Sequence, residues 1–215
     1  MDKQYNTKGL RYSICVSGAA DGQTVSDSAQ LAEQIGAAVA RSGHVLTTGA
    51  TVGIPYHAAR GAKEAGGASI GFSPASNLRE HVRKYRLPHD VFDYIYFTGV
   101  HYVGRDFYLV QSSDAIITVG GRFGSLHEFT TAMLYRKVSG VLIGSGGTAD
   151  LIPQLMQTVE PTVDDYVVIG EKDPDTLVKK VIAALDVKYG DLQQQLEDEG
   201  HTLFDGQQAP PRHAG

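Results

Sequence analysis

Residues 119–129 read VGGRFGSLHEF and concentrate groups suited to holding an anion. Gly120, Gly121 and Gly124 would let a backbone approach a phosphate closely, and a helix starting there would aim free N–H groups at it. Ser125 and Glu128 stand three apart before an apolar run, which is also the pattern of a capping box. Glu128 is therefore either a reactive carboxylate or a helix cap, and this stretch alone does not choose between them.

Other chemistry-bearing residues lie near glycine-rich segments. His57, His101 and His127 lack the H-x-x-x-H spacing or cysteine partner of a metal site, so no metal is expected, and His127 reads as an exposed first-turn residue. Tyr56 and Tyr102 either stack on a ligand base or fill the foot of a loop. The basic run REHVRKYR (79–86) reads as a solvated helix face, with Arg79 the weaker candidate for a phosphate contact. SGAADG is not the dinucleotide fingerprint G-x-G-x-x-G, and no G-x-x-x-x-G-K-[ST] occurs. Nicotinamide chemistry is disfavoured and a P-loop excluded; no cofactor is expected.

The elements that must position these residues alternate. Apolar, β-rich runs fall at 12–18, 44–49, 68–74, 93–99, 114–121, 139–146 and 165–170, mostly with helix-length segments between them. Leu31, Ile35, Ala38 and Val39 mark one helix face, with Asp27 or Gln30 as expected cap and Gly43 as stop. Pro55 suits the first turn of the next helix, which Gly66 and Gly67 end. Alternation of this length predicts an α/β fold: a Rossmann-like, doubly wound, mainly parallel sheet of about seven strands with helices on both faces. Residues 1–189 are expected to form a single domain, and 190–215 a polar helix followed by a flexible tail.

In such a sheet ligands bind outside the carboxyl ends of the strands, where strand order reverses. Four strand ends carry small and hydroxylated residues: VSGAAD, TTGATVGIP, FSPASN and VGGRFGS. Together they favour an anionic ligand held by Ser17 and Gly18, by Thr48, Gly49 and Gly53, and by Gly121, Arg122, Gly124 and Ser125.

Composition narrows the class. The chain has 215 residues, 42% hydrophobic and 20% charged, as in an ordinary globular protein. A net charge of −5 gives no general attraction to nucleic acid or anionic membrane. Cys15, the single cysteine, sits in an apolar run and fits a buried strand in a reducing compartment. MDKQYNTKGLRY is too polar for a signal-peptide core, and no apolar run reaches the roughly 18 residues of a membrane span. A cytoplasmic protein is expected.

The segment GRDFYLVQSSDAIITVGGRFGSLHEF resembles the LOG family of nucleoside-monophosphate phosphoribohydrolases, often labelled lysine decarboxylase-like. That family carries an arginine, then S-D-A, a buried strand, and P-G-G-x-G-T-x-x-E. Arg105 takes the arginine position, Ser113–Asp114–Ala115 the S-D-A, and Gly121, Gly124, Ser125 and Glu128 the second motif. TTGATVGIPYHAARGAKEAGG is similar to the family's G-G-G-x-x-G-L-M segment and the glycines beyond it. The resemblance covers roughly residues 12–145. Gly120 stands in place of proline and Arg122 in place of a glycine. Thr48, Gly49 and Ala50 replace three glycines, and Ile54 and Pro55 replace leucine and methionine. Arg122 would either add a phosphate contact or close the pocket to the usual substrate.

The resemblance implies a hydrolase cleaving the N-glycosidic bond of a nucleoside 5′-monophosphate to base and ribose 5-phosphate. Glu128 would stabilise an oxocarbenium-like state and orient water, and Arg105 would position the ribose or departing base. It also implies a homodimer, with the Met133–Leu134–Tyr135 run a candidate contact. The alternative is a non-catalytic carrier or sensor of a nucleotide or of the molybdopterin cofactor, since related folds serve as such carriers. DNA handling is a weaker third reading, and the acidic charge argues against it.

Overall fold

The computed structural model describes residues 10–159 and 166–198. Seven parallel strands form one sheet in the order β4-β3-β2-β1-β5-β6-β7. They are β1 (Ser13–Gly18), β2 (Val45–Thr48), β3 (Ala68–Ser73), β4 (Tyr94–Phe97), β5 (Ala115–Val119), β6 (Val138–Leu142) and β7 (Val168–Glu171). Each corresponds to one of the seven apolar runs. The central strands read as unbroken apolar runs because both of their faces are covered, and every residue of β5 and β6 is buried.

Between them run α1 (Gln23–Arg41), α2 (Ile54–Glu64), α3 (Leu78–Arg83), α4 (His101–Gln111), α5 (Phe123–Leu134) and α6 (Gly147–Thr158), with α7 (Pro174–Lys188) and α8 (Gly190–Asp198) closing the described chain. One core joins α1, α2 and α7 to the sheet through Ile35, Val39, Ala58, Ile14, Ile117, Leu177 and Val181. On the opposite face Leu109, Val110 and Ala132 of α4 and α5 pack with Cys15 and Ile116, while Phe129 and Ile152 join α5 to α6. Helices therefore cover both faces of an α/β Rossmann-like sheet.

Glycine decides how closely α1 and α2 cross. A methyl at Gly36 would overlap the Ala58 carbonyl, and one at Gly61 would overlap that of Glu33. Both helices end in Schellman turns, with Gly43 and Gly66 at positive φ donating to Ala40 and Lys63 carbonyls. The start of α1 differs from the sequence expectation. Gly22 is its N-cap, without a side-chain cap bond, and Asp27 lies inside the helix, accepting from Gln23 at 2.8 Å. The polar helix expected after Tyr189 is α8, whereas the expected tail at 203–215 lies outside the described residues.

Chain order sets the place of the site. Strands β1 to β4 run outward in one direction, and the chain then returns to lay β5 on the other side of β1. The β1 and β5 loops part at their carboxyl ends, leaving a crevice where α/β sheets take their ligands.

Candidate functional site

A cleft of about 260 Å³ opens at this crevice. It is lined from four directions: Gly18–Asp21 after β1, Gly49, Thr51 and Pro55 after β2, Tyr102, Arg105 and Asp106 on α4, and Arg122, Gly124, Ser125 and Glu128 after β5. The N-termini of α1 and α5 meet here. The first bond of α5 runs from Leu126 N–H to the Arg122 carbonyl, so N–H groups before Leu126 have no partner within the helix.

The structure corrects the capping-box pattern. Because α5 begins at Phe123 with Arg122 as N-cap and no side-chain cap bond, Ser125 and Glu128 are interior positions of the helix. Helical side chains lean toward the N-terminus, so Glu128 points back toward the cleft. Its carboxylate accepts the Ser17 hydroxyl proton from the end of β1. Glu128 is only 7% exposed. Burial, then the charge of neighbouring Asp106, pushes its carboxyl up to about 7, against the opposing pull of Arg105 and of the Ser17 hydroxyl. Cys15, also on β1, lies in the same field, and burial raises its thiol well above the usual range.

Arg105 is slightly more buried, at 5% exposure. Its Nη1 donates to the carbonyls of Gly49 and of Phe72 (2.8 Å for the latter), at the ends of β2 and β3. Its Nε donates to Asp106 at 3.0 Å. Among the described residues no hydrogen bond occupies Nη2. The Tyr102 ring stands 5.9 Å from the guanidinium carbon. Arg105 thus ties three elements together and still borders the cleft.

Arg122 lines the cleft at its rim and does not close it. Its guanidinium crosses the rim to the carbonyl and carboxylate of Asp21, and the pair is largely exposed. The two glycines before it, at positive φ, turn the chain so that the Gly120 and Gly121 carbonyls accept N–H groups from Ala149 and Thr148 at the start of α6. Gly121 has no room for a side chain, because Ser125 fills that space. At Gly124 the space is open.

The cleft gathers Gly18, Gly49, Arg105, Arg122, Gly124, Ser125 and Glu128. Ser17 lies behind it against Glu128, and Gly121 lies behind Ser125. Thr48 and Gly53 belong to the frame of the β2 loop. The Thr48 hydroxyl accepts the Ala50 N–H at 3.2 Å, and a methyl at Gly53 would overlap the Ala19 and Ala20 carbonyls. Tyr102 borders the cleft, whereas Tyr56 donates to Asp90 at 3.2 Å and Arg79 is exposed on α3. His57 pairs with Glu33 and His101 with Tyr85. No group of three metal-ligating side chains occurs among the described residues, and no described helix is long and apolar enough to cross a membrane.

Sequence reasoning missed Asp106. It shares a helical face with Leu109 and Val110, so a carboxylate stood at an apolar position of α4, which was the available signal. His127 is not the expected first-turn residue free in solvent. It sits in the second turn, with Nδ1 3.0 Å from Asp106.

A family model for the SLOG cluster4 family matches residues 11–178. An uncharacterized protein of Archaeoglobus fulgidus is 33% identical over 120 residues, which is 56% of this chain and 72% of that protein. The molybdenum cofactor binding protein of Rippkaea orientalis is similar in structure, with a TM-score of 0.66 and 27% identity over 82% of this chain and 98% of that one. The molybdenum cofactor carrier protein of Chlamydomonas reinhardtii gives 0.65 and 26% over 82% and 99%. The chain belongs to the SLOG cluster4 family, within the SLOG group that includes the LOG proteins.

Proposed function

We propose that the protein is a phosphoribohydrolase that cleaves the N-glycosidic bond of a nucleoside 5′-monophosphate. The observation that carries this reading is the buried Glu128 beside Asp106 at an anion-suited cleft. Two carboxyl groups there oppose the binding of an anion and are costly to bury, so a purely binding site has no use for them. A site that must stabilise a cationic sugar and deprotonate water does. Paired carboxyls in unlike environments divide acid and base roles in this way.

In the reaction the base leaves with the electron pair of the glycosidic bond and takes up a proton from solvent, and positive charge develops at the anomeric carbon. Ionised Glu128 stabilises that charge and accepts a proton from the incoming water, whose oxygen bonds to the sugar. Ser125, Gly124 and the free N–H groups of α5 hold the phosphate, with Arg122 at the rim. Arg105 offers Nη2 to the ribose or departing base. At about 260 Å³ the cleft lies just below the roughly 300–1,000 Å³ usual for ligand pockets, which suits a mononucleotide better than a dinucleotide. Exposed Val103, Phe107 and Tyr108 on α4, with Leu134 and Tyr135 at the end of α5, support pairing with a second copy through that face.

The test is release of ribose 5-phosphate from AMP, CMP, GMP and IMP. Turnover is expected with at least one of them, falling by roughly 10²–10⁴ in Glu128→Gln. Nucleotide bound without turnover would favour the second reading, a carrier of a phosphorylated pterin or nucleotide. The two cofactor-binding proteins of similar structure support that alternative, as does the engagement of Arg105 with backbone carbonyls.

A further inference from the structure

A buried base must return its proton to water after every turnover. Glu128 and Asp106 line the cleft but are only 7% and 5% exposed, so a ligand filling the cleft would cut both off from bulk solvent. Asp106 lines the same cleft beside Glu128 and also faces the half-exposed His127. One carboxylate oxygen of Asp106 accepts from Arg105, and the other faces His127 Nδ1 at 3.0 Å. The His127 side chain is 43% exposed. Ser17 donates to Glu128, Glu128 and Asp106 line the same cleft, and Asp106 meets His127, so polar groups run from the end of β1 past α5 and α4 toward the surface.

We propose that Asp106 and His127 carry the proton from Glu128 to solvent, with His127 as the outer member of the path. The proposal rests on the hydrolase reading. Glu128 takes a proton from the attacking water, and its O–H bond breaks as Asp106 accepts that proton. Asp106 passes it to Nδ1 of a neutral His127, and the imidazolium releases a proton from Nε2 to water. The ring then exchanges tautomer through solvent. No redox partner is needed, and one proton enters and leaves per cycle. Imidazole suits the outer position because one ring nitrogen can accept a proton while the other releases one. The charged or titratable groups around this path are Arg105 and Asp106 from α4, Glu128 from α5 and Cys15 from β1.

Steady-state kinetics on AMP, or on whichever panel nucleotide turns over, separates transfer from packing. His127→Gln can keep the hydrogen bond to Asp106 but cannot relay a proton. It is expected to lower kcat about 10- to 100-fold with little change in KM, as is His127→Ala. Added imidazole should restore part of kcat in the alanine variant. Full activity in His127→Gln, or no rescue of a slowed His127→Ala, would overturn the relay.

A second readout does not need turnover. The His127 ring, followed by NMR through pH, should show an extra inflection from the Glu128–Asp106 pair that disappears in Glu128→Gln. Identical single titrations in both proteins would overturn the proton connection. Absence of ribose 5-phosphate from the parent protein would instead refute the hydrolase reading, leaving the titration to decide whether the path exists.

Discussion

The loops after β2 and β5 look alike in sequence, each rich in glycine and ending in a helix, yet their glycines answer different demands. Around Gly49 and Gly53 the space is already taken, by the Arg105 guanidinium and by the Ala19 and Ala20 carbonyls. Gly53 also holds φ at +75°, a conformation that costs other residues strain. At Gly124 a side chain would enter open space on the wall of the cleft. The first loop spends its glycines on packing that fixes Arg105 and the entry to α2. The second keeps one glycine as bare surface. Glycine content therefore marks where a backbone must come close to something, and only the fold tells whether that partner is protein or ligand.

The largest effect should come from filling the first loop. Gly53→Ala is expected to destabilise the fold by about 2–4 kcal/mol, through overlap with backbone and positive φ. Chemical denaturation checks this, and a stable variant would mean that the loop can relax. Gly124→Val should shift the same denaturation curve by no more than about 0.5 kcal/mol. It should nevertheless weaken AMP binding about tenfold or more in calorimetry, because the side chain occupies the approach to the α5 N-terminus. Equal affinity would erase the contrast between the loops. Arg122 offers a smaller effect. Its exposed pairing with Asp21 contributes about 0–1 kcal/mol, so Arg122→Gly should scarcely alter stability. It is expected to lower nucleotide affinity about three- to tenfold and to flatten its salt dependence, since a cation at the rim is lost. Unchanged affinity and salt slope would show that Arg122 serves only the rim.

The strands were legible because a doubly covered parallel sheet writes itself as apolar runs. Gly43, Pro55 and Gly66 were legible as helix punctuation because their roles are local. The start of α1 was not, since Gly22 caps it through backbone conformation and leaves no side-chain signature. Ser125 and Glu128 imitate a cap because their spacing fits a helix starting at Leu126, whereas α5 begins three residues earlier at Phe123. The motif's significance came instead from Ser17, more than a hundred residues away in the chain, meeting Glu128 across the β1–β5 junction. Asp106 and His127 escaped for the same reason. Their pairing requires α4 to lie beside α5, which no local pattern encodes.

The central claim is that Glu128 acts as an ionised base despite its burial. The pH dependence of kcat/KM tests it most directly, in the parent protein and in Glu128→Gln. A base works when deprotonated, so the parent rate should rise with pH through about 7 and level off above it. In Glu128→Gln that limb should vanish, leaving a low rate whose only dependence in this range comes from the ligand phosphate. An unchanged limb in the variant, or a parent rate that falls as pH rises through 7, would contradict the account.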